Sequence, residues 1–215
     1  MLSNLQAWTV VGIVGIIWLA LSIVGTVNGG PAAILALSDT IPLLLIVASA
    51  FERWAWRWQR IHPLLVGMPV VLGTWEGELE SLWEDPHTHK HPPIKTVYLA
   101  IGQTLTTVSV RLLTDESASG QMAGIIAKQA SGVRAISYTY ENTPFLGLRK
   151  ASPSHRGGAF LTIFGEPPNR IEGEYWTSRD SKGMLRMRRR VRTVAESFEE
   201  AQALFGKDSA QTPAS

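Results

Sequence analysis

The pattern of apolar and polar positions changes character near Arg60: before it lie two long apolar runs, after it an alternation of period two. Trp8 to Val27, WTVVGIVGIIWLALSIVGTV, carries no charge, and a helix of about 20 residues spans roughly 30 Å, the hydrocarbon thickness of a bilayer. A cleaved leader fits less well, because MLSNLQA lacks a basic start, the apolar run is too long and no small-x-small site follows. NGGP, Asn28 to Pro31, is a tight-turn signal. The second run extends either from Ala32 to Phe51, with Asp39 inside it, or from Ile41 to about Trp58, with Asp39 in the connection. The expected element over residues 1–61 is a two-helix transmembrane hairpin.

That hairpin ends in AFERWAWRWQR, Ala50 to Arg60. Continued as a helix, the segment sets Arg53, Arg57 and Arg60 on one stripe and Trp54, Trp58 and Ile61 on the next. Tryptophan at the headgroups and arginine just past a spanning helix make a cytoplasmic membrane border. A single-stranded nucleic-acid platform mixes the same residue types, but the membrane already accounts for them here. The arginines after the second helix put the C-terminal part in the cytoplasm. Two crossings return the N-terminus there too, giving a multi-pass membrane protein with both termini cytoplasmic.

After a linker, 62–71, alternating segments separated by turn signals predict strands at Thr74–Leu82, Ile94–Gly102, Leu105–Thr114, Gln121–Lys128, Val133–Glu141, Gly158–Gly165, Arg170–Thr177 and Met184–Arg192. Connections are mostly short and no helical period intervenes. Residues 72–205 are therefore expected to form an all-β domain, a minimal eight-stranded antiparallel up-and-down β-barrel with a short C-terminal helix. Ser197 and Glu200 form the capping box of that helix. The polar tail 206–215 reads as disordered.

Charge sharpens this picture. The net charge is only +2 and there is no cysteine, so no disulfide framework is possible. Residues 1 to 50 hold a single charged side chain, Asp39, and all 20 lysines and arginines lie beyond. Glu76, Glu78 and Glu80 share one face of the first strand, Glu172 and Glu174 one face of the seventh, and Arg186, Arg188, Arg190 and Arg192 one face of the eighth. If the eighth strand lies between the other two, as in a closed barrel, the arginine ladder meets a glutamate ladder on each side. Coupling between Glu78 and Arg188 is the expected sign of that closure. Arg189 faces inward by strict alternation, so either a bulge turns it out or it reaches a ligand.

Antiparallel connectivity gathers the longer, more polar loops, Glu84–Pro93, Asp115–Gly120, Asn142–Gly157 and Ser178–Gly183, at the barrel end away from the membrane. A loop-lined mouth is a natural ligand site. Tyr138 and Tyr140 on the inner face of the fifth strand, Tyr175 and Thr177 on that of the seventh, and Asn142, His155, Arg156 and Arg179 at the rim are the candidates, with Arg189 beside them. Tyrosine planes stack bases and guanidinium forks match phosphate oxygens, although tyrosines also simply fill small barrels. His87, His89 and His91 would share one side of an extended loop and suit a metal, but no carboxylate or thiolate ligand accompanies them, so a solvated loop is expected. No nucleophile elbow, phosphate-binding glycine loop or metal-spaced acid pair is present. Catalysis, a metal and a cofactor are not expected.

The layout of two spans and a small barrel, with GTWEGELES (Gly73–Ser81), ISYTYENTP (Ile136–Pro144), His155-Arg-Gly-Gly and GEYWTSRDSKGML (Gly173–Leu185), resembles the SMODS-associated two-transmembrane, β-strand-rich effectors of CBASS antiphage systems. The resemblance covers roughly residues 8 to 192. It implies a barrel that binds a cyclic dinucleotide made by a cGAS-like nucleotidyltransferase, with no nucleic-acid polymer as partner. Homo-oligomerisation and disruption of the inner membrane follow in that family. A lipocalin-like anchored barrel holding a hydrophobic ligand, suggested by WEG at Trp75–Gly77, and a ligand-free interaction module are the alternatives. Salt-sensitive binding through rim arginines distinguishes the first reading from the lipid one, and a lumen packed solid by Trp, Tyr, Phe and Leu would favour the module.

Overall fold

The computed structural model describes residues 42, 45–58, 67–148 and 153–211, with residues 207–211 described by backbone alone. The chain divides into two compact units, residues 1–67 and 68–215.

In the first unit residues 45–53 are helical, and a single 3₁₀ turn follows at Ala55–Arg57. The helix does not continue through the tryptophan–arginine stretch: Trp58 is extended, and Arg57 turns back to donate from Nη2 to the Arg53 carbonyl at 2.6 Å. Trp54 and Trp58 are exposed while Trp56 is buried. Arg60 and Ile61, the first expected span and residues 32–41, 43 and 44 of the second lie outside the described residues. Among the described residues no helix is long and apolar enough to cross a membrane.

The second unit is a closed barrel of β1 (Gly73–Ser81), β2 (Lys95–Gln103), β3 (Val108–Leu113), β4 (Ser117–Lys128), β5 (Arg134–Pro144), β6 (His155–Phe164), β7 (Arg170–Thr177) and β8 (Lys182–Val191). Each strand runs antiparallel to the next, and β8 returns to β1. Eight expected strands appear in the expected order, with β4 starting earlier, at Ser117, and β5 ending later, at Pro144. Inward positions pack Trp75, Leu99, Ile101, Ile136, Leu161 and Met187 into one core. Burying such side chains contributes roughly 1.5–3 kcal/mol each, which makes this face, rather than the outer charges, the source of stability.

Helix α1 (Phe198–Gln211) runs past Gly206, where a disordered tail was expected. Ser197 Oγ accepts from the Glu200 N–H at 3.2 Å, as a cap should, but the Glu200 carboxylate reaches back to the Glu196 N–H, at 2.7 Å, one residue before the cap. Glu199's own backbone N–H and the Ser197 hydroxyl hold the Glu199 carboxyl below its ordinary range. Phe198 and Phe205 pack on Tyr98 with ring centroids 5.3 and 5.5 Å apart, so α1 covers part of the outer face of β2.

The β1–β8 seam departs from strict alternation. Glu76 lies opposite Arg189 and Gly77 opposite Met187, a bulge that leaves Arg188 unpaired in the ladder. Every later residue of β8 changes face. Arg189 is thereby turned outward, where it binds Glu76 at 2.8 Å and lies over the Phe205 ring; it does not face the interior. Arg190 and Val191 exchange the faces that alternation gave them: Val191 packs with α1 and Arg190 points inward. Arg188 meets Glu172 of β7 at 3.5 Å instead of Glu78, and Arg186 meets Glu80 at 2.7 Å. Half-exposed pairs of this kind contribute about 0.2–1 kcal/mol each.

Arg190 closes the barrel end at which β1 begins. Its guanidinium sits 5.1 Å from the Trp75 ring and donates to the Leu72 carbonyl at 3.0 and 2.6 Å and to the Val70 carbonyl at 2.9 Å. Gln103 accepts from the Val71 N–H and donates to the Pro69 carbonyl, both at 2.8 Å, and Trp75 Nε1 donates to the Val71 carbonyl at 2.8 Å. Burial, and then the charge of Arg192, lowers the Arg190 pKa to about 10, which leaves it charged at neutral pH.

Candidate functional site

The opposite end is open. A cavity of about 500 Å³ enters the barrel there, within the roughly 300–1,000 Å³ of small-molecule sites. Its floor is apolar, from Leu79, Leu112 and Leu185, and stops above the packed core. Among the described residues that filled interior leaves no deep apolar tunnel of the kind an elongated lipid requires. The walls and rim carry tyrosines, hydroxyls and a few charges.

Seven of the nine candidate residues converge on this cavity: Tyr138, Tyr140, Asn142, His155, Tyr175, Thr177 and Arg179. The reason is the strand period. Tyr138 and Tyr140 lie two apart on β5 and Tyr175 and Thr177 two apart on β7, each pair on the inner face. Arg156 lies next to His155 on β6, so it takes the outer face and is exposed. Arg189 is removed by the β8 bulge.

The tyrosines form a stepped wall. Tyr138 and Tyr140 rings are 5.8 Å apart and inclined at 43°. Tyr138 is only 3% exposed, and burial, then Tyr140, raises its pKa. Tyr140 is pushed up to about 12 by burial and then Tyr175, and its hydroxyl donates to the Trp176 carbonyl at 3.5 Å. Burial also raises Tyr175, against the opposing hydrogen bond from Ser81. All three are therefore neutral phenols at physiological pH. Gly157 and Gly183 clear the space these rings occupy, since a Cβ at either would meet the Tyr140 or Tyr175 ring at 2.6 and 2.7 Å. In the sequence both close a loop, Asn142–Gly157 and Ser178–Gly183, and nothing there marks this role.

The rim supplies charge. Arg179 sits on the β7–β8 turn, where its N–H donates to Thr177 Oγ1 at 3.2 Å and its Nη1 to the Pro153 carbonyl at 3.5 Å. His155 Nδ1 meets that same carbonyl at 3.3 Å. Burial lowers the His155 pKa, the Pro153 carbonyl opposes this and nearby Arg179 lowers it further. Lys95, on the inner face of β2, pairs with Glu116 at 2.6 Å. Lys95, Glu116, Ser117 and Ser119 line the cavity and were missed in the sequence. Lys95 was findable, because it alternates with the core residues Val97, Leu99 and Ile101.

The histidine loop belongs to no such cluster. His89 adopts φ 53, which breaks the extended alternation. His89 binds Glu84 at 2.7 Å while His91 meets the Trp83 carbonyl at 3.0 Å. Among the described residues no group of histidines and carboxylates is arranged for a metal.

An open, tyrosine-lined mouth with cations at its rim suits a flat, anionic ligand. Residues 66–189, more than half the chain, match the family described as Cap15, cyclic dinucleotide receptor domain. The chain belongs to the Cap15 receptor family. It is also similar to the CD-NTase-associated protein 15 of Staphylococcus schleiferi, at 28% identity over 153 residues, covering 71% of this chain and 78% of that protein. The match to the Cap15 family covers the barrel as far as Arg189 and includes every residue lining the mouth. It supports a CBASS effector of the cyclic-dinucleotide-responsive kind.

Proposed function

We propose that the mouth is the cyclic dinucleotide site, and that occupancy drives the chain to assemble in the inner membrane and disrupt it as the terminal step of CBASS antiphage defence. The observation that carries this reading is one cavity combining three neutral tyrosines with Lys95, Arg179 and His155. A cyclic dinucleotide is a dianion with two flat bases. Stacking on aromatic rings contributes roughly 1–3 kcal/mol per base, and charge-assisted hydrogen bonds from cations to phosphate oxygens about 1.5–3 kcal/mol each. A phosphate at the rim takes the place of Glu116 beside Lys95, so affinity falls as salt rises. The N-terminal apolar hairpin is the membrane-acting part, with both chain ends in the cytoplasm beside the nucleotidyltransferase that makes the ligand. The protein acts by binding, without a catalytic step or cofactor.

Thermal-shift titration of the full-length chain with cyclic di-AMP, cyclic di-GMP, cyclic GMP-AMP and pyrimidine-containing analogues tests the site. At least one is expected to raise the melting temperature. Arg179→Ala is expected to weaken that ligand tenfold or more, with the ligand-free melting temperature unchanged because Arg179 is an exposed turn residue. A panel without any shift, or an Arg179→Ala chain that binds as well as the parent, overturns the assignment.

A further inference from the structure

The barrel is not equally closed around its circumference. Between β3 and β4 the backbone ladder holds at one residue pair, Leu113 with Ala118. Beyond it side chains stand where the backbone would: Ser119 Oγ accepts from the Leu112 N–H at 2.9 Å, and Gln121 accepts from the Val110 N–H at 2.6 Å and donates to the Val108 carbonyl at 2.9 Å. β3 begins at Val108, so β4 runs on from Met122 to Lys128 with no strand paired to that side among the described residues. Its other side stays paired to β5 as far as Lys128 and Arg134.

Along this edge the one guard before Lys128 is the bulge at Met122. Exposed strand edges are normally guarded by charge or proline, yet β4 is uncharged until its last residue, Lys128, while every other strand carries charge before its end or at its start. Met122 and Ile125 are 57% and 54% exposed, and Ala123, Gly124 and Ala127 are exposed beside them. Ser137 and Thr139, on the same outer face of β5, add no charge.

We propose that this edge pairs antiparallel with the same edge of a second copy, making a two-fold dimer whose sheet runs β5–β4–β4–β5. The backbone argues for a strand and against lipid, because free N–H and C=O groups gain hydrogen bonds from another strand and lose those to water in hydrocarbon. Charge argues for an antiparallel copy: a two-fold axis near Ile125 sends the two Lys128 side chains to opposite ends of the ladder, whereas parallel pairing stacks them. Ser117 and Ser119 of β4 line the ligand cavity, and Ser119 is one of the clips on the β3–β4 seam. A ligand at the mouth therefore bears on the strand that carries the interface. This last step rests on the ligand reading above; the interface itself does not.

The absence of cysteine makes the test direct. Antiparallel pairing near Ile125 brings the two copies' residue-125 side chains within disulfide reach. Full-length Ile125→Cys in detergent, mildly oxidised, is expected to run as a covalent dimer. Thr139→Cys, one strand inland on the same face, is expected to stay monomeric. Ile125→Lys and Ile125→Glu alone are each expected to abolish association by light scattering, and an equimolar mixture to restore it. A monomeric Ile125→Cys chain, or Thr139→Cys dimerising equally, overturns the interface. The nucleotide-panel melting shift separates the two readings: a shift without cross-linking rejects the interface and keeps the receptor, and cross-linking without a shift does the reverse.

Discussion

The two ends of the barrel use similar residues to opposite effect. At the end where β1 begins, an inward arginine, a glutamine and a tryptophan N–H meet the carbonyls of Pro69, Val70, Val71 and Leu72, each inward polar group answering a backbone group of this same chain. At the mouth Tyr138, Thr177 and Arg179 line a cavity about 500 Å³ in volume, where Thr177 Oγ1 lies 2.7 Å from Ser181 Oγ and Arg179 Nη1 donates to the Pro153 carbonyl at 3.5 Å, contacts made at an accessible rim. Inward-facing polarity does not by itself mark a site. What separates Arg190 from Arg179 is where the guanidinium sits: Arg190 makes three hydrogen bonds to the Leu72 and Val70 carbonyls inside the closed end, whereas Arg179 is exposed at the cavity rim with a long 3.5 Å bond to the Pro153 carbonyl.

Substitutions at the two ends should therefore split stability from affinity. The largest effect is expected at the closed end. Trp75→Ala removes a fully buried ring together with its hydrogen bond to Val71 and its contact with Arg190, and is expected to cost about 3–5 kcal/mol in urea unfolding. A loss below about 1 kcal/mol would mean the strap at residues 69–72 is not holding that end. At the mouth, Lys95→Met should leave urea unfolding nearly unchanged and weaken cyclic dinucleotide binding about tenfold at low salt, a difference of ~1.4 kcal/mol, read by calorimetry. An equal loss at high salt would show that Lys95 acts through packing and not through charge.

The smallest effect is a pH dependence. The folded-state pKa of His155 lies below the unfolded value, chiefly through burial. Its neutral form is the one the fold favours, so the stability it contributes is present above pH ~6.5 and is lost as pH falls through the folded pKa. The parent barrel is expected to lose slightly more stability than His155→Gln over that window. A bound phosphate raises the same pKa, so affinity should strengthen as pH falls while the unliganded fold weakens. Parallel profiles for parent and variant would remove His155 from the mouth's electrostatics.

Strand order and closure were legible because apolar alternation survives in most strands and the glutamate and arginine ladders identify which edges meet. The faces of residues 188–191 were not legible. A bulge adds one residue without any signature in composition, and with a period of two a single extra residue reverses all that follow it. The mouth tyrosines were readable for the complementary reason, since no bulge lies between them and the core residues that fix their phase. Arg156 was mistaken for a rim cation because it was taken as part of a loop; once β6 begins at His155, the period alone turns it outward. Ser117 and Ser119 were hidden by ESASG, which reads as a turn and is in fact the start of the longest strand. The capping of α1 was legible at Ser197, but where that helix stops was not.

The β1–β8 seam joins residues 113 positions apart in sequence, Glu76 and Arg189. During synthesis β1 through β7 can pair with their neighbours as they emerge, and the cylinder stays an open sheet until β8 is released. Loop-closure entropy makes such a long-range pairing the late event of folding. Throughout that interval the waiting edge of β1 carries Glu76, Glu78 and Glu80, and two nascent sheets that approach edge to edge present carboxylate to carboxylate. The same side chains that repel a neighbouring copy become attachment points once the arginines of β8 arrive, so the order of synthesis decides which partner the edge accepts.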